Sequence, residues 1–181
     1  MTGILGLKKT YDELELLQTN RSQTSRIPLF GILENIRSLY NVGSIFRTSD
    51  GAGLSGLFLT GITGTPPSKE IEKTALGATD FIEWDRFSTA ADCLKSFEGG
   101  VTAVALERSR RGVPYTELEL PEGKPVVLVV GNEITGVDEG TLELCDIHTE
   151  IPMFGQKHSL NVSVAFGILA FHLSHLLRRG A

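Results

Sequence analysis

Short apolar runs alternate with helix-length segments along most of the chain, and this alternation constrains the fold more than any other feature. The runs expected to form strands are residues 27–33, 56–62, 81–84, 101–106, 126–130 and 147–151. The segments expected to form helices are residues 41–53, 68–76, 88–97, 138–145 and 159–179. Continuous, valine-rich runs are typical of strands buried on both faces, as in a parallel sheet. The alternation therefore predicts a three-layer α/β fold with a mostly parallel sheet.

The first 26 residues differ from the rest of the chain. Thr10 and Glu13 have the spacing of a capping box, and leucines follow them, so a short helix is expected there. The polar stretch 19–26 is typical of a linker or arm. We therefore divide the chain into an N-terminal arm, residues 1–26, and a single domain, residues 27–181.

Composition excludes several classes of protein. An apolar fraction of 41% and a charged fraction of 22% exclude disorder or a coiled coil as a description of the whole chain. Two cysteines, Cys93 and Cys145, exclude a disulfide scaffold and a four-cysteine zinc site, and reduced thiols in the cytoplasm are expected. The most apolar stretch, residues 160–177, contains too many polar side chains to span a bilayer, so no membrane association is expected.

Ligands of parallel α/β sheets bind beyond the carboxyl ends of the strands, so the segments after strands are the places to look for a site. The first is Asn41-Val42-Gly43-Ser44-Ile45-Phe46-Arg47. On a helix beginning at Asn41, Gly43 lies on the same face as Arg47 and would leave space above the guanidinium for a phosphate or carboxylate. The alternative is that Asn41 caps the helix and Arg47 is solvated.

The second segment, Gly131-Asn132-Glu133-Ile134-Thr135-Gly136, directly follows an apolar strand. Glycines let a ligand approach the backbone, and backbone N–H groups can then bind it. The segment lacks the ending of a Walker loop and the spacing of a dinucleotide fingerprint. The alternative is a glycine-rich turn.

The third segment, Ser159-Leu160-Asn161-Val162-Ser163-Val164-Ala165, leads into the last helix. Ser159 is a natural N-cap, and Asn161 would then occupy the first turn with its amide pointing into a site. The alternative is that Ser159 only caps the helix and Asn161 is solvated. Because asparagine is a poor helix former ahead of an apolar stretch, the functional interpretation of Asn161 is favoured slightly.

Together the three segments resemble the motifs of the SpoU-type (TrmH-like) RNA ribose methyltransferases of the SPOUT superfamily. The resemblance covers about residues 27–179, with the motifs in the order and spacing of the family. It implies a sheet whose C-terminal part is threaded into a deep trefoil knot, the SPOUT α/β-knot, which periodicity alone would not have suggested.

The resemblance also implies a reaction, the transfer of a methyl group from S-adenosylmethionine to a ribose 2′-hydroxyl of RNA. No metal is needed, because the sulfonium methyl is already activated. The residues matching cofactor-binding positions are Leu106, Gly131, Ile151, Ser159 and Leu160. Those matching the polar catalytic positions are Arg47, Asn41, Glu133, Ser159 and Asn161.

Each polar position receives an expected role from the resemblance. Arg47 would clamp a phosphate and align the hydroxyl, and a role as base is left open because a guanidinium normally keeps its proton. Asn41 and Asn161 would orient the substrate or Arg47. Glu133 would position a neighbour or pair with Arg47.

The resemblance implies a homodimer with the site near its interface. The last helix supports this, since small residues form a stripe on which a second helix could pack closely; the alternative is burial within one subunit. The stripe consists of Ser163, Gly167, Ala170 and Ser174. With few residues ahead of the first strand, RNA selection would depend on the catalytic surface, the arm and the partner.

The sequence leaves three possible functions, the first being methylation of an RNA. A tRNA is the expected substrate, and ribosomal RNA is the alternative. A catalytically inactive RNA-binding factor on the same fold is a second possibility, although retention of all polar motif residues argues against it. A nucleotide enzyme on an unknotted doubly wound sheet is a third.

The charge balance bears on RNA binding. Seventeen Lys and Arg against 22 Asp and Glu give a formal net charge of −5, which argues against broad, nonspecific affinity for RNA. Basic residues nevertheless follow the expected strand ends, while acidic residues concentrate elsewhere. The basic residues are Arg37, Arg47, Arg108, Arg110, Arg111, Lys157 and His158. The sequence therefore predicts a basic active face on an acidic body.

Overall fold

Seven strands form one parallel sheet in the computed structural model, which describes residues 26–179. The strands are β1 (Ile27–Glu34), β2 (Leu54–Thr60), β3 (Glu83–Phe87), β4 (Thr102–Leu106), β5 (Val113–Pro114), β6 (Val126–Val130) and β7 (Ile147–Glu150). Their order across the sheet is β3-β2-β1-β6-β4-β7-β5. The predicted N-terminal helix lies outside the described residues, as does the predicted arm apart from Arg26.

Five α-helices and two short 3₁₀ turns connect the strands within residues 26–179. The helices are α1 (Leu39–Ala52), α2 (Lys69–Ala75), α3 (Ala90–Lys95), α4 (Glu139–Leu142) and α5 (Val162–Arg179), and the 3₁₀ turns are Ala78–Asp80 and Tyr115–Glu117. In the part of the chain covered by the structure, no helix is long and apolar enough to cross a membrane.

The central strand β6 explains why the sheet is buried on both faces. Its five residues, Val-Val-Leu-Val-Val, are all buried between β1 and β4. Because successive side chains point to opposite faces, Leu128 packs with α1 and α5 on one side, while Val127 and Val129 pack with α3 on the other. The predicted three-layer α/β architecture with a parallel sheet is confirmed.

The largest differences from the predicted strands lie at the edges of the sheet. The third strand runs from Glu83 to Phe87 instead of 81–84, and the two-residue β5 was not predicted at all. Edge strands need no continuous apolar run, and the first four residues of β3 are all exposed. The apolar pattern therefore located the buried strands better than the exposed ones.

The two helices that carry the first and third candidate segments begin at other residues than predicted. Helix α1 begins at Leu39, because the hydroxyl of Ser38 accepts the Asn41 N–H at 3.3 Å and caps the helix in place of Asn41. Helix α5 begins at Val162 instead of Ser159. The side-chain oxygen of Asn161 accepts the backbone N–H of Ser163 at 2.9 Å, so Asn161 precedes the first turn and takes the capping position expected for Ser159.

The small residues of α5 pack within the chain. An added Cβ on Gly167 would lie 3.5 Å from Thr48 of α1, and the Ser174 hydroxyl donates to the carbonyl of Ala52 at 2.8 Å. Ala170 is fully buried. Close approach of α1 and α5 therefore accounts for this part of the stripe without a second subunit, and the homodimer stays a prediction.

Gly43 has a different role from the predicted one. Its Cα faces α2, where an added Cβ would overlap the carbonyl oxygen of Ile71 and the hydroxyl of Thr74. That hydroxyl also donates to the carbonyl of Tyr40 at 2.9 Å. Gly43 thus permits close packing of α1 on α2, and the expectation that it leaves space above Arg47 is wrong.

We expect Gly43→Ala to lower the free energy of unfolding by about 1–3 kcal/mol, because the new methyl group overlaps backbone that cannot easily move. Gly167→Ala is the matched control. It should leave stability unchanged or raise it by up to about 1 kcal/mol, since alanine is the better helix former and its Cβ meets an ordinary contact. Urea unfolding of both variants measures the difference, and equal stabilities would contradict the packing argument.

Candidate active site

A cleft of about 230 Å³ lies at the carboxyl edge of the sheet. Its walls are the segments that follow β4 and β6, together with the loop that leads from β7 into α5. The five residues predicted to bind the cofactor all line this cleft: Leu106, Gly131, Ile151, Ser159 and Leu160. The predicted placement at strand ends is therefore found.

The loop 131–136 after β6 is a tight, internally bonded turn. Asn132 and Gly136 exchange backbone hydrogen bonds of 3.0 and 2.9 Å, and the Asn132 side-chain oxygen accepts the N–H groups of Ile134 and Thr135. The Asn132 amide also donates to the carbonyl of Asn35 at 2.8 Å. An added Cβ on Gly131 would overlap the backbone of Gly136, so the turn closes only with glycine there.

Glu133 is the centre of a polar network at the rim of the cleft. Its carboxylate accepts the backbone N–H of Arg37 at 3.0 Å and of Ser38 at 3.1 Å. It also accepts the side-chain amide of Asn41 at 3.0 Å. Asn41 in turn accepts a hydrogen bond of 3.1 Å from the amide of Asn161. Three of the five predicted catalytic residues are thus joined, although they lie 92 and 120 positions apart in sequence.

The network holds Glu133 in its ionised form. Partial burial by itself would raise the pKa of Glu133, but the hydrogen bonds from Arg37, Asn41 and Ser38 outweigh it, so the pKa lies below the usual value. Of the two expected roles for Glu133, positioning a neighbour is the one that these contacts provide.

Arg47 lies apart from this cleft. It lines a second groove of about 550 Å³ between α1, α2 and α5, with Lys73 and Phe171 among the other lining residues. The ion pairs within residues 26–179 are Arg26–Asp50 and Arg108–Glu150, so the alternative role of Glu133 as partner of Arg47 is not found there. The structure brings Asn41, Glu133 and Asn161 together, places Ser159 on the cleft, and leaves Arg47 on another surface.

Charge is distributed unevenly between the two concavities. The Arg47 groove has two cationic side chains and no acidic one among its described lining residues. The cleft contains Arg108 and His158, but also the carboxylates of Glu107, Glu133 and Glu150. The basic face predicted at the strand ends is therefore not found at the cleft, which is mixed in charge, and the cationic surface around Arg47 lies apart from it.

Four residues that hold the cleft together were missed by the sequence reasoning: Glu34, Asn35, Glu107 and Asn132. Glu34 and Glu107 each follow an apolar run directly, as Glu133 nearly does. An acidic residue at the carboxyl end of a buried strand was therefore an available signal. Asn35 has a φ of 57°, a backbone conformation that no local pattern in the sequence indicated.

Both cysteines are free thiols and buried. Burial, with lesser contributions from nearby acidic side chains, raises the pKa of Cys93 and that of Cys145 to about 12 each, so both thiols stay protonated and unreactive. Over residues 26–179, no group of three His, Cys, Asp or Glu side chains is arranged to hold a metal ion.

Comparisons with known proteins give matches in sequence and in fold. The sequence model of the SpoU rRNA Methylase family matches residues 28–171. The 23S rRNA (guanosine(2553)-2′-O)-methyltransferase RlmP of Bacillus subtilis (strain 168) is 34% identical over 144 residues, which are 78% of this chain and 56% of that enzyme. The chain spans 56% to 65% of the length of three curated relatives that it matches.

Two solved structures are similar in fold and sequence. The A. aeolicus TrmH/SpoU tRNA modifying enzyme superimposes with a TM-score of 0.78 at 29% identity, over 92% of this chain and 85% of that one. The AdoMet-bound rRNA methyltransferase from Sinorhizobium meliloti superimposes with a TM-score of 0.75 at 32% identity, over 84% of this chain and 56% of that one.

Because the folded-state pKa of Glu133 is lowered, its carboxylate stabilises the fold above the usual glutamate pKa, and this contribution is lost as the pH falls through the lowered value. We expect the wild type to be more stable than Glu133→Gln at neutral pH and to lose that advantage below about pH 4. Urea unfolding between about pH 3 and pH 7 measures the difference in free energy of unfolding between the two proteins. Glu98→Gln, at an exposed site, is the control, and an advantage that persists at the acid end would contradict the network.

Proposed function

This chain belongs to the SpoU rRNA methylase family, and from that premise we propose that it transfers a methyl group from S-adenosylmethionine to a ribose 2′-hydroxyl of RNA. The observation that carries the proposal is the junction of two features at one sheet edge. The cleft is lined by all five residues matching the family's cofactor positions, and the hydrogen-bonded network of Asn41, Glu133 and Asn161 adjoins it.

The chemistry of the cleft fits S-adenosylmethionine. The side chains of Leu106, Ile151 and Leu160 offer apolar surface for an adenine ring, and Gly131 exposes backbone for hydrogen bonds. The carboxylate of Glu150, on the cleft wall, suits a ligand that carries a sulfonium and an ammonium group. When bound, the cofactor supplies an activated methyl group, so we propose no metal.

The polar residues at the rim have the task of presenting the ribose. The 2′-hydroxyl is a weak nucleophile, and its reaction depends on alignment and on removal of its proton. In this proposal Asn41 and Asn161, oriented by Glu133, hold the nucleotide at the mouth of the cleft. Ser159, which is exposed on the cleft wall, contacts the reacting ribose.

Arg47 would bind RNA phosphate. The groove that it shares with Lys73 is cationic and open, which suits a phosphate diester, and a guanidinium binds phosphate in bidentate fashion. Since Arg47 does not line the cleft of its own chain, we propose that two copies of the chain associate and that the site is completed at their interface.

The surface of α5 supports the homodimer. Val164 and Phe171 are 52% and 54% exposed on this helix, and Phe171 also lines the Arg47 groove. Exposed apolar side chains beside a substrate groove are expected where a partner covers them. The similarity to solved structures of the family also supports the proposed trefoil knot in the C-terminal part.

The RNA is proposed to be a tRNA, with ribosomal RNA as the alternative. Of the three similar proteins described above, two are named as rRNA enzymes and one as a tRNA enzyme, so similarity does not separate the two substrates. Mapping of the 2′-O-methyl sites that disappear from total RNA in a deletion strain identifies the substrate. Loss of no site would contradict the proposed reaction.

We expect Arg47→Ala to reduce methylation of that RNA by about a hundredfold or more, because the phosphate clamp is removed, while binding of S-adenosylmethionine persists. Methyl transfer is measured with radiolabelled cofactor, and binding by calorimetry. The control is Arg86→Ala, at an exposed arginine of the edge strand β3, which should leave activity unchanged. Full activity of Arg47→Ala would show that the assigned role is wrong.

We expect Phe171→Asp to weaken self-association by at least about tenfold and to lower methylation with it, since a carboxylate replaces an apolar contact at the proposed interface. Sedimentation equilibrium measures the association. Phe81→Asp is the control, because Phe81 is also exposed, at 68%, but lies next to the edge strand β3. Wild type that sediments as a monomer while fully active would exclude a shared site.

A further inference from the structure

One wall of the cleft is held by a carboxylate that belongs to none of the three motifs. Glu107 follows the last residue of β4 and lines the cleft. One oxygen of its carboxylate accepts the backbone N–H of Val137 at 3.0 Å, and the other accepts the N–H of Arg108 at 2.9 Å. The side chain therefore ties the loop after β6 to the loop after β4, and residues of both loops line the cleft.

The backbone conformation of Gly136 and its lack of a side chain permit this contact. Its φ is 75°, in the left-handed region, and an added Cβ would overlap the Glu107 carboxylate. Because no side chain intervenes at this glycine, the Glu107 carboxylate reaches the amide of the buried Val137 directly. The glycine that ends the second motif thus leaves space for the Glu107 carboxylate and not only for a ligand.

A second carboxylate holds the next amide of the same loop. Glu34, at the end of β1, accepts the backbone N–H of Asp138 at 2.9 Å and the hydroxyl of Thr141 at 2.6 Å. Two consecutive amides are therefore bound by side chains from two different strands. A peptide fixed at both neighbouring N–H groups has little freedom to rotate, so the preceding segment that lines the cleft is fixed as well.

We propose that Glu107 is a positioning residue for the cofactor: by holding the Val137 amide, it sets the separation of the two loops between which S-adenosylmethionine binds. This inference rests on the proposed function. Without the carboxylate, the Val137 N–H is left buried and unpaired, and the loop relaxes away from β4. The affinity for the cofactor is then lower, because the cleft must be reassembled when the ligand binds.

The test compares Glu107→Gln and Glu107→Ala with the wild type. The Gln side chain has one amide oxygen and satisfies one of the two N–H groups, whereas Ala satisfies neither. We expect the Kd for S-adenosylmethionine, measured by calorimetry, to rise by roughly tenfold for Ala and by less for Gln. At saturating cofactor kcat should be nearly unchanged, since the polar network around Glu133 is intact.

Two further readouts separate positioning from a general loss of stability. The Val137 amide should exchange its hydrogen faster in Glu107→Ala, while the amides of β6 keep their protection. Glu139→Gln, an exposed carboxylate in α4 just beyond the loop, is the matched control and should behave as the wild type in every measurement. If the Ala variant unfolds, the Gln variant carries the comparison.

The outcomes distinguish the two proposals. A wild type that does not bind S-adenosylmethionine overturns the proposed function. A wild type that binds, with both Glu107 variants binding equally well, overturns the positioning role. A lowered kcat with unchanged cofactor Kd also overturns it, because that result places Glu107 in the chemical step instead.

Discussion

The cleft depends on one physical requirement, which is that backbone N–H groups of loops taken out of water must find acceptors. At the carboxyl edge of this sheet, Glu107 and Glu34 meet that requirement for partly buried amides, and Glu133 binds two further amides at the exposed rim. Glu133 binds two amides that precede α1, Glu107 binds the amide of Val137, and Glu34 binds the amide of Asp138. Each bond joins segments that are distant in sequence, so the same contacts that satisfy the backbone also assemble the site.

The buried sheet makes this arrangement possible. Because β6 is covered on both faces, its end is fixed, and the loop that follows it begins from a rigid position. Placing a carboxylate in this position opposes its ionisation, because burial raises the pKa of Glu34. Hydrogen bonds from Thr141 and Asp138 favour the ionised form and act in the opposite direction. A carboxylate is retained there because a neutral apolar side chain would leave both donors unpaired.

The cleft and the Arg47 groove differ in charge, and each suits a different part of the proposed reaction. The cleft, with its apolar walls and mixed charge, suits the cofactor, and the cationic groove around Arg47 suits phosphate. Their separation within one chain explains why association of two copies belongs to the proposed mechanism. The proposed RNA binding is compatible with a net charge of −5, since the cationic groove is local and acidic residues elsewhere would limit nonspecific affinity.

The sequence by itself determined the parallel α/β fold and the segments that carry the site, because periodicity and strand-end position are local properties of the chain. The resemblance of its motifs to the family added Leu106, Gly131, Ile151, Ser159 and Leu160 as expected cofactor positions, and all five line one cleft in the structure. Only the tertiary structure decided what depends on distant partners. Gly43 packs on α2 instead of making room for Arg47, Asn161 both caps α5 and contacts Asn41, and the Glu107 carboxylate lies against Gly136. These contacts join residues that no local pattern relates, so the fold had to bring them into contact before their roles could be seen.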